Sequence, residues 1–119
     1  MGTGYRNLLV WQKAKALAVS VYKVADKGPL SRDFGLRDQM CRAAVSVPSN
    51  IAEGDERDSD KEAVRFLYIA KGSLAELRTQ LEIALETGRV PEAEYQSLEA
   101  HCGEIRRMLG ALIRAKTPR

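Results

Sequence analysis

The sequence has few of the residues that build disulfide frameworks, metal centres or membrane spans. Its 119 residues include two cysteines, one histidine, one tryptophan and four prolines. No uncharged run approaches the roughly 20 apolar residues that a membrane-spanning helix needs. The stretch MGTGYRNLLVWQK has no basic segment followed by an apolar core, so no secretory signal is predicted. These absences predict a cytoplasmic chain with no membrane partner.

The two cysteines, Cys41 and Cys102, lie in different predicted helices beside apolar stripes. In a chain without an export signal, such cysteines are typical of thiols that pack as small apolar side chains. We therefore predict two buried thiols. A disulfide or a reactive thiol is the alternative.

The motifs of catalysis and metal binding are also missing. The one histidine, His101, has no glutamate three residues before it, so the Glu-x-x-His pair of di-iron bundles is absent. No Cys-x-x-Cys, His-Glu-x-x-His, phosphate-binding glycine loop or nucleophile elbow occurs. The acids between positions 53 and 60 lack the spacing of a calcium loop, and residues 55–58 are predicted to form a solvated loop. We therefore predict a non-enzymatic protein with no catalytic residue, no metal and no cofactor.

The charge of the chain limits its partners only loosely. The 19 Lys and Arg and the 16 Asp and Glu give a net charge of +3 at pH 7. Residues 1–50 hold eight basic against three acidic residues, residues 51–62 hold two against six, and residues 63–119 hold nine against seven. This excess permits an anionic partner such as RNA or DNA, but dedicated nucleic-acid binders often show a stronger imbalance.

Apolar residues recur every three or four positions through most of the chain. This period predicts four amphipathic helices at about 8–27, 33–54, 60–87 and 91–116. The clearest stripe consists of Ala63, Leu67, Ala70, Leu74, Leu77, Leu81 and Ala84. Because the connections are short, residues 1–119 are predicted to form one all-α domain, an antiparallel up-down-up-down four-helix bundle. Two long hairpins exchanged between chains would show the same periodicity.

Proline and capping residues mark the course of the second and third helices. Pro48 gives no N–H to the carbonyl of Ala44 and its ring crowds that carbonyl, so the second helix is predicted to bend near Ala44. Ser31 or Asp33 can cap the start of this helix. Ser59, followed three residues later by Glu62, matches a capping box for the third helix.

Polar residues cluster around Pro48 on one face of the second helix. Arg42, Ser46, Ser49 and Glu53 are spaced by four, three and four, Asn50 adjoins them, and the third helix offers Ser73 and Glu76. The simplest interpretation is that this cluster joins helices or subunits, with Arg42 paired to Glu53 or Glu76. Asn50 would then bond carbonyls that Pro48 leaves free. A ligand or catalytic pocket at the bend and a nucleic-acid contact through Arg42 are the alternatives.

Three segments of the chain resemble a known family. They are YRNLLVWQKA near the start, FGLRDQMCRAAVSVPSNIAEG in the second helix and RFLYIAKGSLAELRTQLEIA in the third. Across about residues 5–115 the chain resembles the bacterial 23S rRNA-intervening-sequence proteins. The resemblance implies a four-helix bundle that assembles into a ring of five subunits. It also implies a relation to the accessory proteins of diversity-generating retroelements, which work with a reverse transcriptase and nucleic acid.

The first helix carries a second apolar line beside its core stripe, at Trp11, Ala18, Tyr22 and Ala25. A small bundle needs only about three of every seven positions for its own core. Surplus apolar surface commonly marks an interface, so we predict a homo-oligomer.

A homo-oligomeric scaffold that contacts RNA or DNA electrostatically is therefore the leading functional hypothesis. The candidate contacts are Lys13, Lys15, Arg106, Arg107, Arg114 and Lys116, because a ring would multiply modest basic patches. The alternatives are a scaffold for a protein partner without nucleic-acid contact and a small-ligand pocket near Pro48.

Overall fold

The computed structural model describes residues 4–118, and four long helices account for most of them. These helices are α1 (Leu9–Ala25), α2 (Phe34–Asp55), α3 (Asp60–Glu86) and α4 (Glu92–Lys116). Short 3-10 turns at Gly4–Asn7 and Pro29–Arg32 precede α1 and α2. Within these residues no β-strand occurs.

The helices pack in the order of the chain. Helix α1 packs against α2 and α4, and α3 packs against the same two helices, so α1 and α3 lie diagonally opposite each other. The molecule measures 45 × 28 × 22 Å, and α3, with 27 residues, runs most of its length at 1.5 Å per residue. The predicted all-α four-helix bundle is confirmed.

The core forms from the stripes that the sequence shows. All seven residues of the α3 stripe are buried, and α1 contributes Val10, Ala14, Leu17, Val21 and Val24. Helix α4 buries Leu98, Cys102, Ile105, Leu109 and Ile113 on the same side. The 3.6-residue period places these side chains on one face of each helix, and removing them from water is the main stabilising contribution to the bundle.

The second apolar line of α1 is mostly used inside the bundle, which corrects its interpretation as surplus surface. Ala18 and Ala25 are buried, and Trp11 packs partly buried against the core. Only Tyr22 of this line remains half exposed. Alanine side chains let α1 approach its neighbours closely, so most of the wide stripe packs against the two neighbouring helices.

Local signals set the ends of the helices. Asp33 caps α2, since its Oδ1 accepts a hydrogen bond from the Leu36 N–H at 3.2 Å. Ser59 Oγ accepts from the Glu62 N–H at 3.2 Å at the start of α3. Gly28 and Gly88 adopt positive φ angles of 56° and 72° in the turns after α1 and α3, a conformation that glycine tolerates without strain.

Helix α2 continues through Pro48 as one element and ends at Asp55, one residue into the predicted loop. The bend near Ala44 stays a prediction. Asn50 does not bond the carbonyl that Pro48 leaves without a donor, as the sequence suggested. Its Nδ2 donates instead to the carbonyl of Ser46 at 2.8 Å, because a side chain four residues on reaches the preceding turn of its own helix.

The two thiols differ in burial. Cys102 lies in the core, whereas Cys41 is only partly buried beside α1, so the prediction of two buried thiols is wrong for Cys41. Both are free thiols. Burial raises the pKa of the Cys102 thiol to about 12, and burial also raises the pKa of Cys41. At neutral pH both groups are therefore protonated and poor nucleophiles.

Candidate functional site

Part of the predicted polar cluster lies between α2 and α3. Ser46 Oγ and Ser73 Oγ are 2.8 Å apart and form the hydrogen bond that joins the two helices. Asn50 Nδ2 also donates to Ser46 Oγ at 3.0 Å, so the Ser46 hydroxyl is free to donate to Ser73. Three of the seven predicted residues therefore form one continuous hydrogen-bonded group.

The charged members of the cluster do not join this group. Glu53 pairs with Arg57 of its own helix, with Nη2 and Oε2 2.8 Å apart. Arg42 and Glu76 are exposed, and neither forms an ion pair with another residue in the range 4–118. The expected pairing of Arg42 with Glu53 or Glu76 is therefore wrong within one chain. Ser49 is exposed on the outer face of α2.

A shallow groove runs between α1 and α2 beside Pro48. It has a volume of about 380 Å³ and is lined mainly by Ala18, Val19, Tyr22, Val45 and Pro48. Asn50 and Glu53 do not line it, while Arg42 lines the next depression along the same two helices. Polar groups do not converge on this groove as they do in small-ligand sites, and its surface is largely apolar.

The six predicted nucleic-acid contacts differ in whether they already have a partner within the chain. Lys13 lies 3.3 Å from Glu104, and Lys116 lies 3.6 Å from Asp60, so each already has an acidic partner. Lys15 sits over the Trp11 ring at 5.3 Å, at the edge of the groove between α1 and α2. The remaining three, Arg106, Arg107 and Arg114, lie exposed on α4 and have no acidic partner among the described residues.

Two of the α4 arginines each lie over a glycine four residues before them in the helix. Arg107 Nη1 lies 3.6 Å from the point where Gly103 would carry a Cβ, and Arg114 Nη1 lies 3.4 Å from the equivalent point at Gly110. Each guanidinium therefore folds back over the preceding turn of the helix. Seven residues separate the two arginines, about 10 Å along the axis, so they share one face. This face is a row of planar donors that suits phosphate oxygens.

Two partly buried ion pairs were missed from the sequence. Arg78 on α3 bonds Glu99 on α4, with its Nε 3.0 Å from Glu99 Oε1, and this bond raises the pKa of Arg78. Arg89, after α3, bonds Asp33 Oδ2 at 3.1 Å. Both pairs are partly buried and tie α4 and the α3–α4 turn to the bundle. In the sequence, only the opposite charges of these residues indicated that they could pair. Choosing the correct partners requires the axial register between neighbouring helices.

The exposed apolar residues are distributed unevenly. The eight large ones are Leu9, Val19 and Tyr22 on α1, Phe34 and Val45 on α2, and Tyr68, Ile69 and Ile83 on α3. The described part of α4 contributes none. The surface that α4 presents to solvent therefore differs in chemistry from that of the other three helices.

Comparison with known proteins agrees with the fold and the motifs. The family model described as 23S rRNA-intervening sequence protein matches residues 6–111. The chain belongs to this family. Both segments that contain the polar cluster, around Pro48 and around Ser73, lie inside the matched range. A search of curated proteins gave no match.

A crystal structure from Bacteroides thetaiotaomicron is similar to the bundle. It is described as a protein with unknown function from the S23 ribosomal protein family. The two chains are 25% identical and superpose with a TM-score of 0.81, covering 88% of this chain and 98% of the other. The family and this relative carry no assigned reaction. Across residues 4–118, no helix is long and apolar enough to cross a membrane, and no group of His, Cys, Asp and Glu is placed to hold a metal ion.

Proposed function

We propose that this protein is a non-enzymatic scaffold that assembles from identical copies and binds RNA or DNA electrostatically. The observation that carries the proposal is the division of its surface. Exposed apolar side chains occupy α1, α2 and α3, whereas α4 presents arginines without acidic partners. Apolar surface favours contact between protein copies, and unpaired arginines favour a polyanion.

Self-association is supported by the kind of residues that stay exposed. Tyr68 is 55% exposed, and Ile69 and Ile83 are 43% and 48% exposed, although all three lie in the most regular helix of the chain. Single exposed apolar residues are common on monomers, but these three lie on one side of one helix, with Ile83 about 21 Å along the axis from Ile69. Five subunits are implied by the family resemblance, and a ring needs a heterologous contact that closes by rotation.

Nucleic-acid binding is supported by Arg106, Arg107 and Arg114. Assembly would place one copy of these three arginines on each subunit, so weak contacts would act together on one polyanion. Because each contact is to phosphate, the binding should show little sequence preference and should weaken steeply with salt.

Two measurements on the full chain test the proposal. After nuclease treatment and a high-salt wash, sedimentation should give a mass several times that of one chain, and five times in the ring. Titration with labelled RNA and DNA should show binding that falls between about 50 and 200 mM salt. A single chain at all concentrations would overturn the scaffold, and flat titrations at low salt would remove the nucleic-acid role.

The second candidate is a scaffold for a protein partner that makes no contact with nucleic acid. It is favoured by the exposed Phe34, which is 63% exposed at the end of the bundle, away from the centre of the other apolar residues. Co-purification of one defined protein that resists nuclease, together with flat RNA and DNA titrations, would favour this function.

A further inference from the structure

Resting on the proposed binding of RNA or DNA, we propose that the end of the bundle beside Phe34 holds an unpaired base of a single strand. The base stacks on the open face of the Phe34 ring, and Arg32 contacts a neighbouring phosphate. Stacking needs a base that is free of its duplex partner, whereas phosphate contacts alone carry no such requirement. The site therefore adds a preference for single strands that the arginines of α4 do not supply.

Phe34 is the first residue of α2, and its ring lies in solvent at the end of the bundle. It is 63% exposed, more than any of the other exposed large apolar residues of the described chain. The Arg37 guanidinium lies over one face of the ring, 5.0 Å from its centroid. A ring that is covered on one side and open on the other is a platform on which a base of any sequence can stack.

Arg37 is held on its side of the ring by two further contacts. Its Nη1 donates to the carbonyl oxygen of Ser31 at 3.2 Å, and its Nε lies 3.5 Å from Asp38 Oδ1. These contacts fix the guanidinium beside Phe34 before any ligand binds. A base on the opposite face would complete a stack of guanidinium, ring and base, an arrangement common in sites for single strands.

A wide cleft borders the ring. Its volume is about 680 Å³, within the range of small-ligand sites, and Arg37 is not part of its wall. The cleft therefore lies on the side of Phe34 that the guanidinium leaves open, and it has room for a base. The residues that line it are Pro29, Arg32, Asp33, Phe34, Gly35 and Arg89.

The charges of the cleft favour a phosphate. Arg89 Nε donates to Asp33 Oδ2 at 3.1 Å, so the carboxylate in the lining is already paired with a guanidinium. Arg32 is exposed and has no acidic partner among residues 4–118. An unpaired guanidinium beside an aromatic ring suits a nucleotide, in which one sugar joins a base to a phosphate. An apolar protein segment would use the ring but would gain nothing from Arg32.

The cleft is separate from the arginines of α4. The bond between Asp33 and Arg89 places it at the end of the bundle where α4 begins. Arg107 lies 15 residues after Glu92, the start of that helix, which is about 22 Å along its axis. Changes at Phe34 and changes on α4 should therefore act independently on binding.

Salt titrations of the full-length protein separate stacking from phosphate contact. The probes are a labelled DNA strand of about twelve adenosines, an abasic strand of the same length and a duplex of the same length. Phe34→Leu keeps an apolar side chain but removes the ring, so affinity for the adenosine strand should fall roughly 5- to 100-fold. The slope of log K against log salt should stay the same, as should the affinity for the duplex and the abasic strand.

Two further variants serve as matched controls. Phe34→Tyr retains an aromatic ring and should bind the adenosine strand as the wild type does. Arg32→Gln removes one phosphate contact, so it should weaken binding of the adenosine strand and make the salt slope shallower by about 0.7. Circular dichroism and sedimentation should give the same helix content and the same mass for all variants.

The outcomes distinguish this site from the proposed function. If the wild type binds the abasic and adenosine strands equally well, or Phe34→Leu binds as the wild type does, the stacking site is wrong and the role of the α4 arginines stands. An equal loss on all three probes with a lower sedimenting mass would assign the ring to a contact between copies. If the wild type binds no strand and carries a protein that Phe34→Ala releases, the ring serves that protein, and both the site and the nucleic-acid role are overturned.

Discussion

Helix α4 and the three helices before it bury similar side chains but expose different ones. Inside the bundle, the buried stripe of α3 is mostly leucine and alanine, and that of α4 is leucine, isoleucine and Cys102. Outside, α3 exposes Tyr68, Ile69 and Ile83, whereas α4 exposes arginines among small residues. The fold needs only the inner faces. The outer faces are therefore where selection for binding can act without loss of the bundle.

The two outer surfaces also differ in how salt affects them. Exposed ion pairs and phosphate contacts weaken as salt rises, because mobile ions screen the charges. Apolar contacts between copies do not depend on screening and persist at high salt. Moderate salt should therefore release nucleic acid before it dissociates the scaffold.

The largest expected effect is on the free energy of unfolding, which should fall far more for a substitution on the inner face of α3 than for one on its outer face. Leu77 is fully buried, so Leu77→Ala should lower the free energy of unfolding by about 2 to 5 kcal/mol, the cost of lost burial and a cavity. Ile69→Ala should change the stability of the isolated chain by less than about 0.5 kcal/mol. Urea unfolding monitored by circular dichroism gives both values.

Protein concentration distinguishes the two variants further. The effect of Leu77→Ala should be nearly the same at all concentrations, because the lost contacts lie within one chain. The effect of Ile69→Ala should appear only where copies associate, since association stabilises the folded state by mass action. Equal, concentration-independent shifts would show that Ile69 has no part in a contact between copies.

The next effect concerns α4 alone. Replacing Arg106, Arg107 and Arg114 by glutamine should weaken RNA binding by about 10- to 100-fold at low salt. The slope of log K against log salt should become shallower by about 0.7 to 0.9 for each lost phosphate contact. Fluorescence titration at several salt concentrations measures both quantities, and the sedimenting mass should not change.

The matched control for these arginines is Lys13→Gln with Lys116→Gln. Both lysines have carboxylate partners, Glu104 and Asp60, so they should contribute less to binding than the unpaired arginines. If the lysine variant loses as much affinity as the arginine variant, the basic surface is diffuse and does not centre on α4.

The bundle could be predicted from the sequence because its signals are local. A stripe such as Ala63 to Ala84 depends only on a 3.6-residue period, and a cap such as Ser59 depends on neighbours three residues away. The Ser46–Ser73 contact was predicted only in part, as two polar residues on facing sides of adjacent helices. Both residues lie beside the stripes of adjacent helices, so antiparallel packing brings them together.

The ion pairs could not be predicted because they depend on register and side-chain direction. Glu53 lies eleven residues after Arg42 on the same helix, about 16 Å along its axis, and pairs with Arg57, while Arg42 is exposed. The Arg78–Glu99 pair joins residues 21 positions apart on different helices. Periodicity gives the face on which a residue lies, but the axial offset between helices is set by the packing of all of them.

A smaller effect measures the link between α2 and α3. Ser46→Ala and Ser73→Ala each remove one partner of a half-buried hydrogen bond, so each should destabilise the chain by about 0.5 to 1.5 kcal/mol. The double variant should cost less than the sum, with a coupling near the same size. Exact additivity in urea unfolding would mean that the hydroxyl contact contributes nothing, and Ser49→Ala on the exposed face is the control.

The smallest expected effect is that of replacing Asp33. This residue lies at the end of the bundle, outside both the arginine surface of α4 and the exposed apolar surface of α3. The Leu36 N–H and the Arg89 guanidinium hold the pKa of Asp33 below its ordinary value of 3.8. A lowered pKa stabilises the folded state above pH 3.8, and this contribution is lost as the pH falls through the folded-state pKa. Asp33→Asn keeps a side chain that can cap the helix, so it removes mainly the charge that faces Arg89.

The stability difference between wild type and Asp33→Asn should therefore be present at pH 6 and shrink below pH 3.8, while sedimentation and the salt slope stay unchanged. A difference that is constant with pH would assign the effect to the cap rather than to the charge.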